Sequence, residues 1–273
     1  MKFFDFHNHS TFSADGACSL ERMLFSAEKK GLAAFGTAEH FDYDYKALGL
    51  TYENGRFLDE DSYFSTARAL QKNAPLRYFV GAEFGFLEEE KTLANYCATA
   101  KKYQPDFIVN SVHVCDGQDC WFSSYFEGKD KTTSYSNYLK AVRKSLDAPY
   151  PYHIVAHVGY VSRNAPYADA KIRYQDFPDL YDDILSAVIE KGKILEVNTS
   201  ARGAGSAFLP DLDVLSRYRA LGGRKVCISS DAHDEHRIAN GFEECAKALF
   251  SVGFSVLTYP TPEGEVLLPL DEF

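Results

Sequence analysis

Short apolar runs alternate with amphipathic stretches along almost the whole chain. Runs of the kind that fill buried strands occur at Phe3–His7, Ala33–Ala38, Tyr78–Glu83, Phe107–Val112, His153–His157, Ile194–Asn198 and Val226–Ser230. Between them, apolar residues recur at helical spacing in Leu20–Lys30, Glu60–Lys72, Lys91–Tyr103, Tyr135–Leu146, Leu180–Lys191 and Asp211–Leu221, and Phe242–Val252 closes the series. Strands alternating with helices of this length predict βα units around a parallel sheet. Pro210 and Asp211 mark a helix entry, and Gly192 and Gly222 mark helix exits. Seven such units suit a closed or nearly closed barrel better than an open sheet. The end, FSVLTYPTPEGEVLLPL, reads as a strand pair around a turn at Pro262–Gly264. No linker composition interrupts residues 1–273, so a single domain is expected.

Composition narrows the function classes. The 273 residues are 45% hydrophobic, enough for a sizeable core, and the formal net charge is −10. That charge, with dispersed lysines and arginines, argues against a nucleic-acid partner. No apolar run is long enough for a membrane span, and Asp5 interrupts the opening where a signal peptide needs apolar continuity. The six cysteines are scattered without a CxxC pair, which suits reduced thiols and a cytoplasmic location. Oligomeric state is not legible.

Polar chemistry collects where the apolar runs stop. His7 and His9 follow the first run, and alternation along an extended chain points both imidazoles to one side with Asn8 opposite. Glu39 and His40 end the second run, Glu83 the third, His113 the fourth and His157 the fifth. Asn198, Thr199 and Arg202 follow the sixth, and Asp231 and His233 the seventh. Seven of the eight histidines fall within a few residues of a strand end. A lone histidine is usually a satisfied core or surface residue. A whole set at the one rim where parallel barrels build their sites points to a metal-assisted hydrolase.

HxH on the first strand, a distal Glu, two single histidines and a terminal SDAH resemble the polymerase-and-histidinol-phosphatase (PHP) superfamily. The resemblance runs from FHNHSTFSADG to SSDAHDEHRIANG, and SVHVCDGQDCWFSSYFEGK resembles the histidinol-phosphatase branch. It implies a distorted (β/α)7 barrel with two to three divalent ions (Zn, Fe or Mn) at the strand ends. It implies His7, His9 and Asp231 on the first ion, a Glu83 bridge, His113 and His157 on the second, and Asp15, His40 and His233 on the third. Glu39, facing away from His40 along the strand, is read as a support for a ligand.

Three carboxylates, three divalent ions and one hydroxide leave such a site positive by about two charges, matched to a phosphate monoester dianion. The implied activity is hydrolysis of a small-molecule phosphate, best L-histidinol phosphate in histidine biosynthesis, by hydroxide that metal binding makes available. Glu83 and Asp231 would serve catalysis as well as metal binding. Arg163 and Arg202, on rim loops, are candidates to clamp the phosphoryl oxygens. Gly159 and Ala201 depart from the branch pattern, which bears on substrate and not on the metal ligands. Asp231 is a candidate proton shuttle, with His153 and His236 looser candidates. RGAGSA at 202–207 lacks the Walker lysine and reads as a rim loop. The segments 41–59 and 114–134, rich in acids and aromatics, read as long substrate-facing loops suited to a cationic leaving group. The competing readings are a phosphoesterase for another metabolite or nucleotide, and a metal-binding module without catalysis.

Overall fold

The structure, a computed structural model, describes residues 3–201 and 205–270. The chain runs β1 (Phe4–Asp5), α1 (Leu20–Lys29), β2 (Ala34–Phe41), α2 (Tyr43–Leu48), α3 (Glu60–Gln71), β3 (Arg77–Gly85), α4 (Glu90–Tyr103) and β4 (Phe107–Ser111). It continues through β5 (Val114–Cys115), β6 (Gln118–Asp119), α5 (Lys131–Ser145), β7 (Ile154–Val155), α6 (Pro178–Glu190) and β8 (Ile194–Asn198). It ends with α7 (Leu212–Ala220), β9 (Val226–Ser229), α8 (Phe242–Ser251), β10 (Val256–Thr261) and β11 (Gly264–Pro269).

Seven parallel strands form the sheet in the order β1-β2-β3-β4-β7-β8-β9. This is the expected barrel, distorted at its seam. Instead of a full ladder, β9 meets β1 through one bridge between Asn8 and Ala232, with the His9 amide donating to the Ala232 carbonyl at 2.8 Å. Below the bridge, the Asp5 carboxylate accepts the Ser230 amide at 3.1 Å and its hydroxyl at 2.5 Å. Burial holds Asp5 up at about 6, against these hydrogen bonds.

All eight residues of β2 are buried, as a strand covered on both faces requires. Inside the barrel Phe6 packs on Phe79 and Phe107 with ring centroids 4.9 and 5.1 Å apart. Gly81 makes room for that packing, because a Cβ there would stand 2.3 Å from the Phe107 ring. The expected terminal hairpin is β10–β11, and Tyr259 from it packs on Phe4 and Phe6. All six cysteines are free. Among the described residues no helix is long and apolar enough to cross a membrane.

Several elements differ from expectation. β1 and β7 are two residues each, shorter than the apolar runs that contain them, because the chain leaves the ladder to turn its histidines inward. The 41–59 segment contains α2, a helix too short to show a period, closed by Gly49 in the left-handed region at φ 67°. The 114–134 segment contains the β5–β6 hairpin, a turn of 3₁₀ helix at Ser123–Phe126, and the start of α5. That helix begins four residues early because Asp130 caps it, accepting the Thr133 amide at 2.7 Å.

Candidate metal centre

The parallel register sets the rim. His40 on β2 lies opposite Glu83 on β3, and Glu83 lies opposite Val109 on β4, so consecutive strand ends carry their polar residues to one level. His157 and Asp231 stand just beyond β7 and β9 with φ of 26° and 51°. Left-handed conformations cost non-glycine residues of order 1–3 kcal/mol, so the surrounding structure must hold both turns in place. His157 is anchored by its amide, which donates to Glu196 at 2.8 Å.

Glu83 is the hub. Its Oε2 lies 3.3 Å from His7 Nε2, 3.5 Å from His9 Nε2 and 2.8 Å from His40 Nδ1. Its Oε1 lies 3.1 Å from His157 Nε2 and 3.3 Å from His113 Nε2. Asp231 Oδ1 completes one side at 3.4 Å from His9 Nε2 and 3.9 Å from His7 Nε2. On the outer side, His233 Nε2 is 3.1 Å from Asp15 Oδ2 and 3.4 Å from His40 Nε2, and His40 Nε2 is 3.8 Å from Asp15 Oδ1. The nine candidate ligands therefore share one cluster. Asp15 is its exposed member.

Three buried atoms that face one another in the cluster, His7 Nε2, His9 Nε2 and Glu83 Oε2, make no aligned hydrogen bond among the described residues. Orphaned buried polar atoms are costly and call for a partner. Two ligands at metal-bond length and tetrahedral angle stand roughly 3.3 Å apart, the spacing seen between His7, His9 and Glu83. Ligating atoms of His7, His9 and Asp231, of His7, Glu83 and His157, of His40, Glu83 and His113, and of His9, His40 and His233 lie within 4.8 Å of one another. These clusters fit divalent metal ions.

Supporting groups fix the imidazoles. His7 Nδ1 donates to Glu196 Oε1 at 2.6 Å, which leaves Nε2 facing the centre. His9 Nδ1 meets the Ser13 hydroxyl at 3.3 Å, and that hydroxyl donates to Glu39 at 2.5 Å. Glu39 thus supports the candidate ligand His9 through Ser13. Glu196 was missed by sequence reasoning, although an acid inside the apolar run ILEVN is a readable signal.

Electrostatics follow the same geometry. Burial opposes ionisation of Glu83, but His7, His40 and His113 outweigh it and hold its carboxyl well below the usual range. Asp231 is likewise held low, against burial, by Arg163 and His7. Burial lowers His7, yet Glu196, Glu83 and Asp231 raise it well above its ordinary value. Burial, then His40 and His233, keep His9 neutral. Burial also lowers His157.

The remaining candidates divide. Arg163 is buried beside the cluster, and its Nη2 donates to Asp231 Oδ2 at 2.8 Å and to Asn198 Oδ1 at 3.0 Å. Its Nε has no partner. Arg202 lies outside the described residues, as does part of the 202–207 loop. Two looser candidates do not join the site. His153 precedes β7, at the opposite end from the rim, where its Nδ1 accepts the Ile108 amide at 3.0 Å. His236 is on the surface, with its side chain 87% exposed. The six histidines among the candidate ligands therefore converge, and the other two of the eight do not.

Residues 5–200 match the PHP domain family. A probable histidinol-phosphatase of Clostridium acetobutylicum is 29% identical over 245 residues, covering 89% of this chain and 91% of its own. The histidinol-phosphatase of Lactococcus lactis subsp. lactis is 26% identical over 265 residues, covering 94% of each chain. A crystal structure of histidinol phosphate phosphatase from Lactococcus lactis, complexed with Zn, L-histidinol and phosphate, superposes with a TM-score of 0.83. It is 23% identical and covers 97% of this chain and 99% of that one, a likeness that establishes the fold. With its family match spanning most of the barrel and its rim, the chain belongs to the PHP domain family.

Proposed function

We propose that the chain, as one domain, is a metal-dependent phosphatase that hydrolyses L-histidinol phosphate to L-histidinol and phosphate. The observation that carries this reading is the set of buried, unpartnered nitrogen and oxygen atoms converging at the rim of a barrel whose relatives are named histidinol-phosphatases. Two to three ions, Zn, Fe or Mn, would be held there. His7, His9 and Asp231 would hold one, His113 and His157 another with Glu83 between them, and Asp15, His40 and His233 the third. Such ions supply Lewis acidity at phosphoryl oxygens and make water acidic enough to ionise near neutral pH.

The chain's own residues supply the rest. Glu83 and Asp231, kept ionised by their cationic neighbours, would balance the metal charge. Arg163 presents its guanidinium beside Asp231 and would take phosphoryl oxygens together with Arg202. Every monoester presents the same phosphate, so metals and arginines give rate without choice of alcohol. Discrimination falls to the 41–59 and 114–134 segments.

The test compares kcat/KM for histidinol phosphate with that for glycerol phosphate. The proposal expects a preference of about a hundredfold or more, roughly 2.7 kcal/mol of differential transition-state binding. Comparable rates would leave a phosphatase without this substrate.

A further inference from the structure

Asp42 occupies the position before α2, where an aspartate ordinarily accepts an amide of the first helical turn. Here its side chain makes no capping bond. The carboxylate is turned aside, and Oδ1 accepts the Tyr52 hydroxyl at 2.9 Å. Among the described residues its other oxygen, Oδ2, has no hydrogen-bond partner, although the residue is only 6% exposed. Oδ2 is not sealed from solvent. Asp42 directly follows β2, two residues after His40, so the alternation of the strand turns its side chain to the same side as His40. Its carboxylate therefore lies beside the centre.

The neighbouring acids are bonded or sealed from solvent. The Tyr52 ring stacks on Tyr45 at 5.1 Å, and the Tyr45 hydroxyl donates to Asp119 Oδ2. Asp119 Oδ1 accepts the Tyr160 hydroxyl at 3.2 Å and the Trp121 amide at 2.7 Å. Asp44 accepts the Tyr96 hydroxyl on Oδ1 at 3.2 Å, and its unpartnered Oδ2 is sealed from solvent against Gly85, where an added Cβ would lie 2.5 Å away. Asp42 is the member of this acidic, tyrosine-lined wall with spare accepting capacity toward the mouth.

An alcohol bearing an ammonium next to the phosphoryl group would find the acids of the centre already paired, Glu83 and Asp15 with histidines and Asp231 with Arg163. A carboxylate with one open oxygen offers it a charge-assisted hydrogen bond. We propose that Asp42 is a specificity-determining residue that receives the ammonium group of the substrate's alcohol, selecting phosphate monoesters of 2-amino alcohols. This rests on, and sharpens, the histidinol phosphate reading.

The experiment measures kcat/KM for histidinol phosphate, O-phosphoethanolamine and glycerol phosphate with metal-loaded wild type, Asp42→Asn and Asp42→Glu, with metal content determined for each. O-Phosphoethanolamine keeps the ammonium two carbons from the bridging oxygen and lacks the imidazole. The expected result for Asp42→Asn is a tenfold or greater fall in the phosphoethanolamine-to-glycerol-phosphate ratio, carried by KM, with partial recovery in Asp42→Glu. If wild type shows no preference for histidinol phosphate while this ratio still falls, Asp42 keeps its role and the histidinol reading fails. An unchanged ratio overturns the assignment. So does an equal loss on both substrates accompanied by lost metal, which would make Asp42 a support for the ligands.

Discussion

Replacing Glu196 by Gln probes the centre without touching a proposed ligand. Glu196 accepts on both oxygens, from His7 Nδ1 at 2.6 Å on one, and from the His157 amide at 2.8 Å and Asn198 Nδ2 at 3.1 Å on the other. A glutamine of the same shape has only one accepting atom. If its oxygen serves the His157 amide, its NH₂ faces His7 Nδ1, and the imidazole must move its proton to Nε2, into the metal cluster. If the oxygen serves His7, the His157 amide faces a donor and the left-handed turn at His157 loses its anchor. Either way one charge-assisted bond of about 1.5–3 kcal/mol is lost. Changes in such supporting groups typically cost 10–100-fold in metal affinity or activity, about 1.4–2.7 kcal/mol. The assay is competition for the metal against a chromophoric chelator, with circular dichroism to confirm folding and phosphate release as the second readout. A folded Glu196→Gln protein with metal affinity within twofold of wild type would refute the argument.

Glu83→Ala should strip metal from two positions at once, since both carboxylate oxygens face imidazoles, and elemental analysis together with the rate checks it. Arg163→Ala and Arg202→Ala should each raise the inhibition constant of inorganic phosphate, by an amount on the order of 1.5–3 kcal/mol for a lost charged hydrogen bond; unchanged phosphate inhibition in both would remove the clamp. Asp44 is raised to about 7 by burial and then by Asp42, so the folded chain holds a proton there that the unfolded chain releases near its ordinary value of 3.8. Its contribution is present at acid pH and is lost as pH rises from about 4 through about 7, up to roughly 4 kcal/mol. Urea titrations of metal-free protein at pH 5 and 8 should show Asp44→Asn relatively more stable at pH 8; parallel pH dependence in both proteins would contradict this.

The barrel was legible because its signal is repeated: seven apolar runs separated by amphipathic helices leave few other arrangements. The clustering of the candidate ligands was legible for a related reason, since strand ends in a parallel barrel share one rim, while their assignment to particular ions rested on the family resemblance. What escaped the sequence depended on three-dimensional closure. The seam between β9 and β1 is joined by Asp5 and one bridge, which no local pattern announces. The short helix α2 and the β5–β6 hairpin fall below the length at which periodicity shows. His153 was misleading because a strand's start and its end both adjoin the same apolar run. Asp42 and Glu196 are single acids whose partners lie far along the chain.

The most direct test of the account titrates metal-free protein with a divalent ion while following phosphate release from L-histidinol phosphate, and counts bound metal in the same samples. The account predicts no turnover without metal, activity that rises as two to three ions bind per chain, and loss of that activity on chelation. Undiminished hydrolysis by the chelated protein, or full activity with no more than one ion bound, would contradict it.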